Sequence, residues 1–273
     1  MTSPTSATVS WPLELLFTGR VAEYLTAARL GDGPCILVHV PKTAGTSLRA
    51  ELAALLPPDI NIHVDYTDAS RSFSDRLDDA VARFIERAEP EGIRFASGHI
   101  QARHVTRIAD RLPQARFVTM LREPAARVVS DYRHQSSPRQ PGFEAFRARV
   151  PDLEAYLGLP GERDKAAIHL LPPDLRRRGD AAACIDYITR RFAFVGIQEM
   201  YQECFRLLTA LTGQARAPRL RENVGLDGPT DGAVPPELAE RIRALNPLDS
   251  AIHDHFSARF RAVRGVVAEA LAA

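Results

Sequence analysis

The sequence predicts an α/β fold in which a central parallel sheet is flanked by helices. Two observations carry that prediction. Apolar runs of strand length alternate with segments of helical period from residue 35 to residue 195, the pattern of βαβ units. The residues best suited to chemistry stand directly after such runs, where open parallel sheets bind their ligands. With 273 residues and 45% hydrophobic side chains, the chain can bury one sizeable core and reads as a single domain over 1–273.

Residues 11–30 are a mixed apolar segment, expected within a helical extension (1–33) that packs on the core or contacts a second copy. Residues 35–40 are the first buried strand. The small-residue loop 41–47 follows, then a Leu- and Ala-rich helix over 48–56 that Pro57 and Pro58 end. A second strand is read over 60–64. Helical spacing over 74–88 turns Leu77, Val81 and Phe84 or Ile85 inward. A short strand over 94–97, a helix over 101–111 and a strand over 115–121 come next. Pro124 suits the first turn of a helix running through Val128, Val129 and Tyr132. Residues 135–183 are helical and polar but broken by prolines, expected as an insertion or lid. Residues 192–195 return as a strand, 212–236 read as a long loop, and helices over 236–245 and 249–271 close the domain.

The loop Pro41-Lys42-Thr43-Ala44-Gly45-Thr46-Ser47 is the most informative stretch. A small-residue loop between a strand and a helix presents backbone N–H groups and a helix dipole to an anion, and Lys42 adds a full charge. The lysine precedes the glycine, so this is not a Walker A motif. Arg122 stands at the carboxyl end of the 115–121 strand, and Ser130 about two turns into the next helix. A guanidinium fork and a hydroxyl suit a second phosphate. The bland alternatives are a solvated Lys42 on an ordinary turn, an Arg122 paired with a surface carboxylate and a Ser130 that merely packs. His99 follows the 94–97 strand. His39 reads as a core residue supporting the loop, and His104, His134 and His169 have no partner visible in sequence. His253 and His255 are too close in sequence to share a helix face as a metal pair. Arg103, Arg107 and Arg111 form a helical stripe, read as a solvated face. Arg176 to Arg178 precede Gly179 and suit a helix carboxyl end. Arg216, Arg219 and Arg221 mark the long loop as a basic segment able to close over a bound anion.

A net charge of +1 gives no global case for nucleic acid or an anionic membrane. Cys35, Cys184 and Cys204 match no zinc spacing and read as buried thiols of a reducing compartment. Residues 1–10 lack the pattern of a signal peptide, and no stretch reaches transmembrane length. The expected location is cytoplasmic.

Taken together, "VHVPKTAGTSL" and "FVTMLREPAARVVSDYRH" resemble the 5′-phosphosulfate loop and the 3′-phosphate segment of sulfotransferases that use 3′-phosphoadenosine 5′-phosphosulfate (PAPS). The closer likeness is to the carbohydrate branch that includes the heparan sulfate 2-O-sulfotransferases and bacterial relatives. "FASGHI" is similar to its Gly-His motif, and "FVGIQEMYQECFRLL" and "NPLDSAIHDHF" to its C-terminal signatures. The likeness covers roughly residues 34–260 and implies a P-loop NTPase-like sulfotransferase fold, with 135–183 on the acceptor side. Glu123 stands where Asp is commoner, Ser97 replaces a first His, and "GIQEMYQ" lacks the usual Thr-Glu-Arg.

The resemblance implies a sulfotransferase that moves a sulfuryl group from PAPS to a hydroxyl, with a carbohydrate as acceptor, releasing 3′-phosphoadenosine 5′-phosphate (PAP) and needing no metal. Lys42 would stabilise the leaving phosphate and His99 would take the acceptor proton. Residues 41–47, Arg122 and Ser130 would hold the nucleotide, with Arg219 and Arg221 on a loop that closes over nucleotide or acceptor. Two rivals stand beside this: a small-molecule kinase, which needs an acidic strand end for Mg²⁺, and a non-catalytic nucleotide-binding module.

Overall fold

The computed structural model describes residues 13–31, 33–64, 70–219 and 234–272. Trp11, the polar amino-terminal stretch, Arg221 and the centre of the expected 212–236 loop lie outside the described residues.

Two short helices, α1 (Leu13–Phe17) and α2 (Val21–Ala27), open the fold. Their apolar faces are buried: Leu13, Leu16, Val21 and Tyr24 join the main core, and the Tyr24 hydroxyl donates to the Ala193 carbonyl at 2.8 Å. The chain then runs β1 (Cys35–Val38), α3 (Gly45–Leu55), β2 (Asp59–Asn61), α4 (Phe73–Ala88), β3 (Phe95–Gly98), α5 (Ala102–Arg111), β4 (Arg116–Leu121) and α6 (Pro124–Gln135). Helices α7 (Phe143–Arg149), α8 (Leu153–Leu157), α9 (Lys165–Leu170), α10 (Pro173–Arg178) and α11 (Ala181–Arg191) follow. The last strand is β5 (Phe194–Ile197), and α12 (Tyr201–Ala210), α13 (Pro236–Leu245) and α14 (Pro247–Ala270) complete the described chain.

The five strands form one all-parallel sheet in the order β2-β3-β1-β4-β5, flanked by helices, as the alternating pattern predicts. Strands β1, β3 and β5 are buried along their whole length, which is why they read as unbroken apolar runs. The chain leaves β1 toward β2, comes back through β3, then crosses to β4 on the other side of β1. Sheets with such a reversal hold ligands at the carboxyl ends of the strands where it falls, here β3, β1 and β4.

Several boundaries differ from the sequence reading for local reasons. The second strand is Asp59–Asn61 rather than 60–64, because it is an edge strand that pairs with β3 alone. The fifth is Phe194–Ile197 rather than 192–195, set by its register with Val118 to Leu121. Residues 135–183 form α7 to α10 and add buried side chains, among them Val150, Tyr156, Ala167 and Leu170. Helix α10 ends on Gly179 in the left-handed region (φ 68°), and Arg176 to Arg178 fill its last turn. This follows the glycine stop read from the sequence.

Candidate functional site

The loop after β1 is shaped by its backbone. The His39 N–H donates to the Gly98 carbonyl at 2.9 Å, extending the β1–β3 ladder by one rung. The buried Thr43 hydroxyl donates to the Val40 carbonyl at 2.8 Å and pulls the turn closed. Lys42 (φ 69°) and Ala44 (φ 60°) lie in the left-handed region, whereas Thr43 and Gly45 do not. For non-glycine residues this costs roughly 1–2 kcal/mol each. Alternating signs of φ turn successive N–H groups toward one concave side, the arrangement that cradles anions.

Helix α3 begins at Gly45, not at Leu48 as the sequence reading had it. Gly45, Thr46 and Ser47 are therefore its first turn. Its N-cap is Ala44, which has no side chain to cap the N–H groups there. Thr43 and Ser47 are buried, Pro41, Lys42 and Ala44 half-buried, and Thr46 exposed.

Arg122 follows β4 directly and is half-buried. Its Nη1 donates to the Lys42 carbonyl at 3.3 Å, which brings it to the loop from the neighbouring strand. Ser130 is half-buried on α6. Glu123 is the N-cap of α6, accepting from the Ala126 N–H at 2.7 Å, and it also meets Arg243 at 3.2 Å. Its carboxylate is thus committed to the helix start and to α13.

His99 stands just past β3. A Cβ at Gly98 would lie 2.5 Å from the Ile62 carbonyl, so glycine is needed where the β2 strand end passes. The His99 Nδ1 is 2.7 Å from the His39 carbonyl oxygen. A carbonyl only accepts, so Nδ1 carries the hydrogen, and in the neutral ring Nε2 keeps a lone pair. The His39 ring stacks on His99 with centroids 4.3 Å apart, and the His169 ring lies tilted to it at 6.2 Å. Burial among these rings lowers the His99 pKa, and Lys165 adds to the effect. The hydrogen bond to the His39 carbonyl and the charge of Asp131 oppose it. His99 nonetheless keeps an exposed edge. Burial pushes His39 down to about 3 and His169 to about 4, so both are neutral near pH 7.

The fold supplies His169 and His104 with partners that the sequence does not show. His169 Nδ1 donates to the Ile100 carbonyl at 2.8 Å. His104 Nδ1 accepts from the Gln101 N–H at 2.9 Å, and its Nε2 lies 2.7 Å from Asp78. The Gln101 contact is a local capping box at the start of α5, whereas the Ile100 and Asp78 partners lie 69 and 26 residues away and no local pattern encodes them.

A charged cluster built around Asp131 and Lys165 adjoins His99. Lys165 Nζ donates to Asp131 at 2.9 Å and also to Glu162, which accepts from the Tyr156 hydroxyl at 2.6 Å. Buried Arg127 lies 3.5 Å from Asp131 and 3.8 Å from Asp249. Asp249 accepts the N–H groups of Ala166 and Ala167 at 3.0 and 2.8 Å. Burial alone would raise Asp131, but Lys165 and Arg127 outweigh it and hold the carboxyl below its ordinary range. The signal in the sequence is the i, i+4 spacing of Arg127 with Asp131 and of Lys165 with His169, which shares one helix face.

The remaining candidates lie apart. Arg219 is exposed, and its backbone N–H donates to Glu51 of α3. Arg103 and Arg107 bond to Asp78 on α4. His253 lies 3.3 Å from Glu199. Among the described residues no group of three or more His, Cys, Asp or Glu side chains is placed to hold a metal ion. Nor is any described helix long and apolar enough to cross a membrane.

The carboxyl ends of three adjacent strands thus bring together a concave run of N–H groups, Lys42, Arg122 and a neutral imidazole with a free lone pair. That set can bind a polyanion, neutralise charge that grows on it, and accept a proton nearby. No family model matches this chain, and no curated protein aligns with it significantly.

Proposed function

We propose that the protein is a sulfotransferase that moves a sulfuryl group from PAPS to a hydroxyl of a carbohydrate acceptor and releases PAP. The observation that carries this reading is the shared position of the Lys42–Ser47 cradle, Arg122 and His99 at the ends of β1, β4 and β3. The donor set suits the nucleotide: an alternating-φ loop and an uncapped helix start for one anionic group, and Arg122 with Ser130 for a second.

When bound, PAPS supplies an already activated sulfuryl group, so positioning and charge stabilisation are what the protein must add. Lys42 and the amides of the α3 start meet the negative charge that develops on the leaving 5′-phosphate oxygen. His99 holds its Nδ1 hydrogen on the His39 carbonyl and takes the acceptor hydroxyl proton at Nε2 as the new sulfur–oxygen bond forms. Arg122 and Ser130 select the nucleotide by its 3′-phosphate. The buried free thiols of Cys35, Cys184 and Cys204 suit a reducing compartment such as the cytoplasm.

The test is incubation with labelled sulfuryl donor and a panel of glycans and small alcohols. His99→Ala is expected to keep PAP affinity and lose transfer by about a hundredfold or more. Lys42→Ala should reduce transfer more than PAP binding. Near-normal turnover in His99→Ala removes it from the base role. Labelling from magnesium ATP, or nucleotide binding without transfer to any acceptor, would replace this reading with a kinase or a binding module.

A further inference from the structure

We propose that His39 is a positioning residue that joins the anion loop to the base: its ring is a shared wall between Gly45 and His99, and its carbonyl sets the His99 tautomer. The proposal deepens the reading above and rests on it for the identity of the base.

Four contacts place His39 between the two. Its N–H is held by the Gly98 carbonyl at 2.9 Å, which fixes its backbone to the end of β3. Its carbonyl takes the His99 Nδ1 hydrogen at 2.7 Å. Its ring lies on the His99 ring at 4.3 Å, with 29° between the planes. The same ring also closes on the α3 start, so tightly that a Cβ on Gly45 would overlap Nε2 and Cδ2. Gly45 has no left-handed φ to require glycine, and alanine is the better helix former at such a position. The glycine is therefore explained by the His39 ring. Burial keeps that ring uncharged near neutral pH, so it can press against an anion site and a base without adding charge to either.

This makes a specific coupling. A shift of the α3 start must move the His39 ring, and with it the face on which His99 rests. The wall also excludes water from one face of His99 and so helps to hold the imidazole neutral. The other groups around this pair are Lys42 and Arg49 near His39, Asp131 of α6, and Lys165 and His169 of α9. None of them is altered by a change at position 39.

The experiment is ¹⁵N NMR of the histidine rings in the full chain without ligand, with His99 assigned by its loss in His99→Gln. The wild type should show His99 as the Nδ1–H tautomer, titrating below the ordinary histidine range. His39→Phe keeps an aromatic wall and should leave that titration in place, whereas His39→Ala should move it upward. In parallel, Gly45→Ala should lower the melting temperature and weaken PAP binding by about tenfold or more. In the His39→Ala background the same change should cost nothing. An unmoved His99 titration in His39→Ala, or a Gly45→Ala penalty that persists without the ring, overturns the proposal. Should His39→Ala fail to fold, an Nε2–H tautomer in the wild type or a moved titration in His39→Phe does so. If PAP does not bind the wild type while the His99 spectra behave as stated, His39 keeps its positioning role and the sulfotransferase reading falls.

Discussion

His99 can accept a proton only while its ring is neutral, and its surroundings favour that form. Burial lowers its pKa and Lys165 lowers it further, against the opposing pull of the His39 carbonyl and Asp131. The acid limb of kcat/KM for sulfuryl transfer is therefore expected below pH 6.5, the ordinary histidine value. Lys165→Met removes one of the charges that depress it, so the limb should move upward in that variant. A wild-type limb above pH 6.5, or one that Lys165→Met moves downward, would contradict the assignment. The place of His99 at a strand end was legible because it follows an apolar run, and it was singled out because "FASGHI" resembles a Gly-His motif. Its tautomer was not legible, since the carbonyl that fixes it belongs to His39, sixty residues earlier in the chain.

One buried carboxylate bridges all three of helices α6, α9 and α14. Asp249 near the start of α14 takes two N–H groups at the start of α9 and faces Arg127 of α6. Burial raises its pKa, and Arg127 with the two N–H donors pulls the other way. Asp249→Ala would leave Arg127 buried with Asp131 as its remaining close partner and two amide donors without an acceptor. Such a loss costs about 3–5 kcal/mol, to be read from urea unfolding; a cost under about 1 kcal/mol would show that the cluster rearranges freely. No local pattern marks the Asp249 contacts. Residues 135–183 looked polar and broken, and the partner that buries α9 lies more than eighty residues away. The α4 pattern, by contrast, was readable because Leu77, Val81 and Phe84 repeat at helical spacing and all are buried. The start of α3 was misplaced because helix propensity favours Leu48, whereas the tertiary fold lets Gly45 open the helix against His39.

Parallel pairing and the strand-order reversal bring three loops to one end of the sheet, and they also gather histidines in a buried place. Burial depresses His39 to about 3 and His169 to about 4, so between pH 6.5 and those values the unfolded chain binds protons that the native state refuses. Stability must then fall with acidification, by about 2 kcal/mol for each ring at pH 5. Asp164 acts in the opposite sense. Burial raises it to about 6, so its protonation on acidification returns about 1 kcal/mol. Asp249, also raised by burial, acts with Asp164, while His99 and His104, lowered by burial, act with the two rings. Urea unfolding at pH 7, 6 and 5 should therefore show a net fall in stability, and a flat or rising profile would contradict the buried neutral cluster. The α/β class and the order of strands and helices were visible in the alternating pattern, but the order β2-β3-β1-β4-β5 was not, because no strand carries a local mark of its neighbours. On the function proposed above, the β1 loop and Arg122 grip two phosphates of one adenosine nucleotide. Calorimetric titration with PAP and with adenosine 5′-phosphate separates the two grips. PAP should bind about tenfold tighter or more, and Arg122→Ala should erase the difference. Equal affinity for the two nucleotides in the wild type, or a preference for PAP that survives Arg122→Ala, would contradict it.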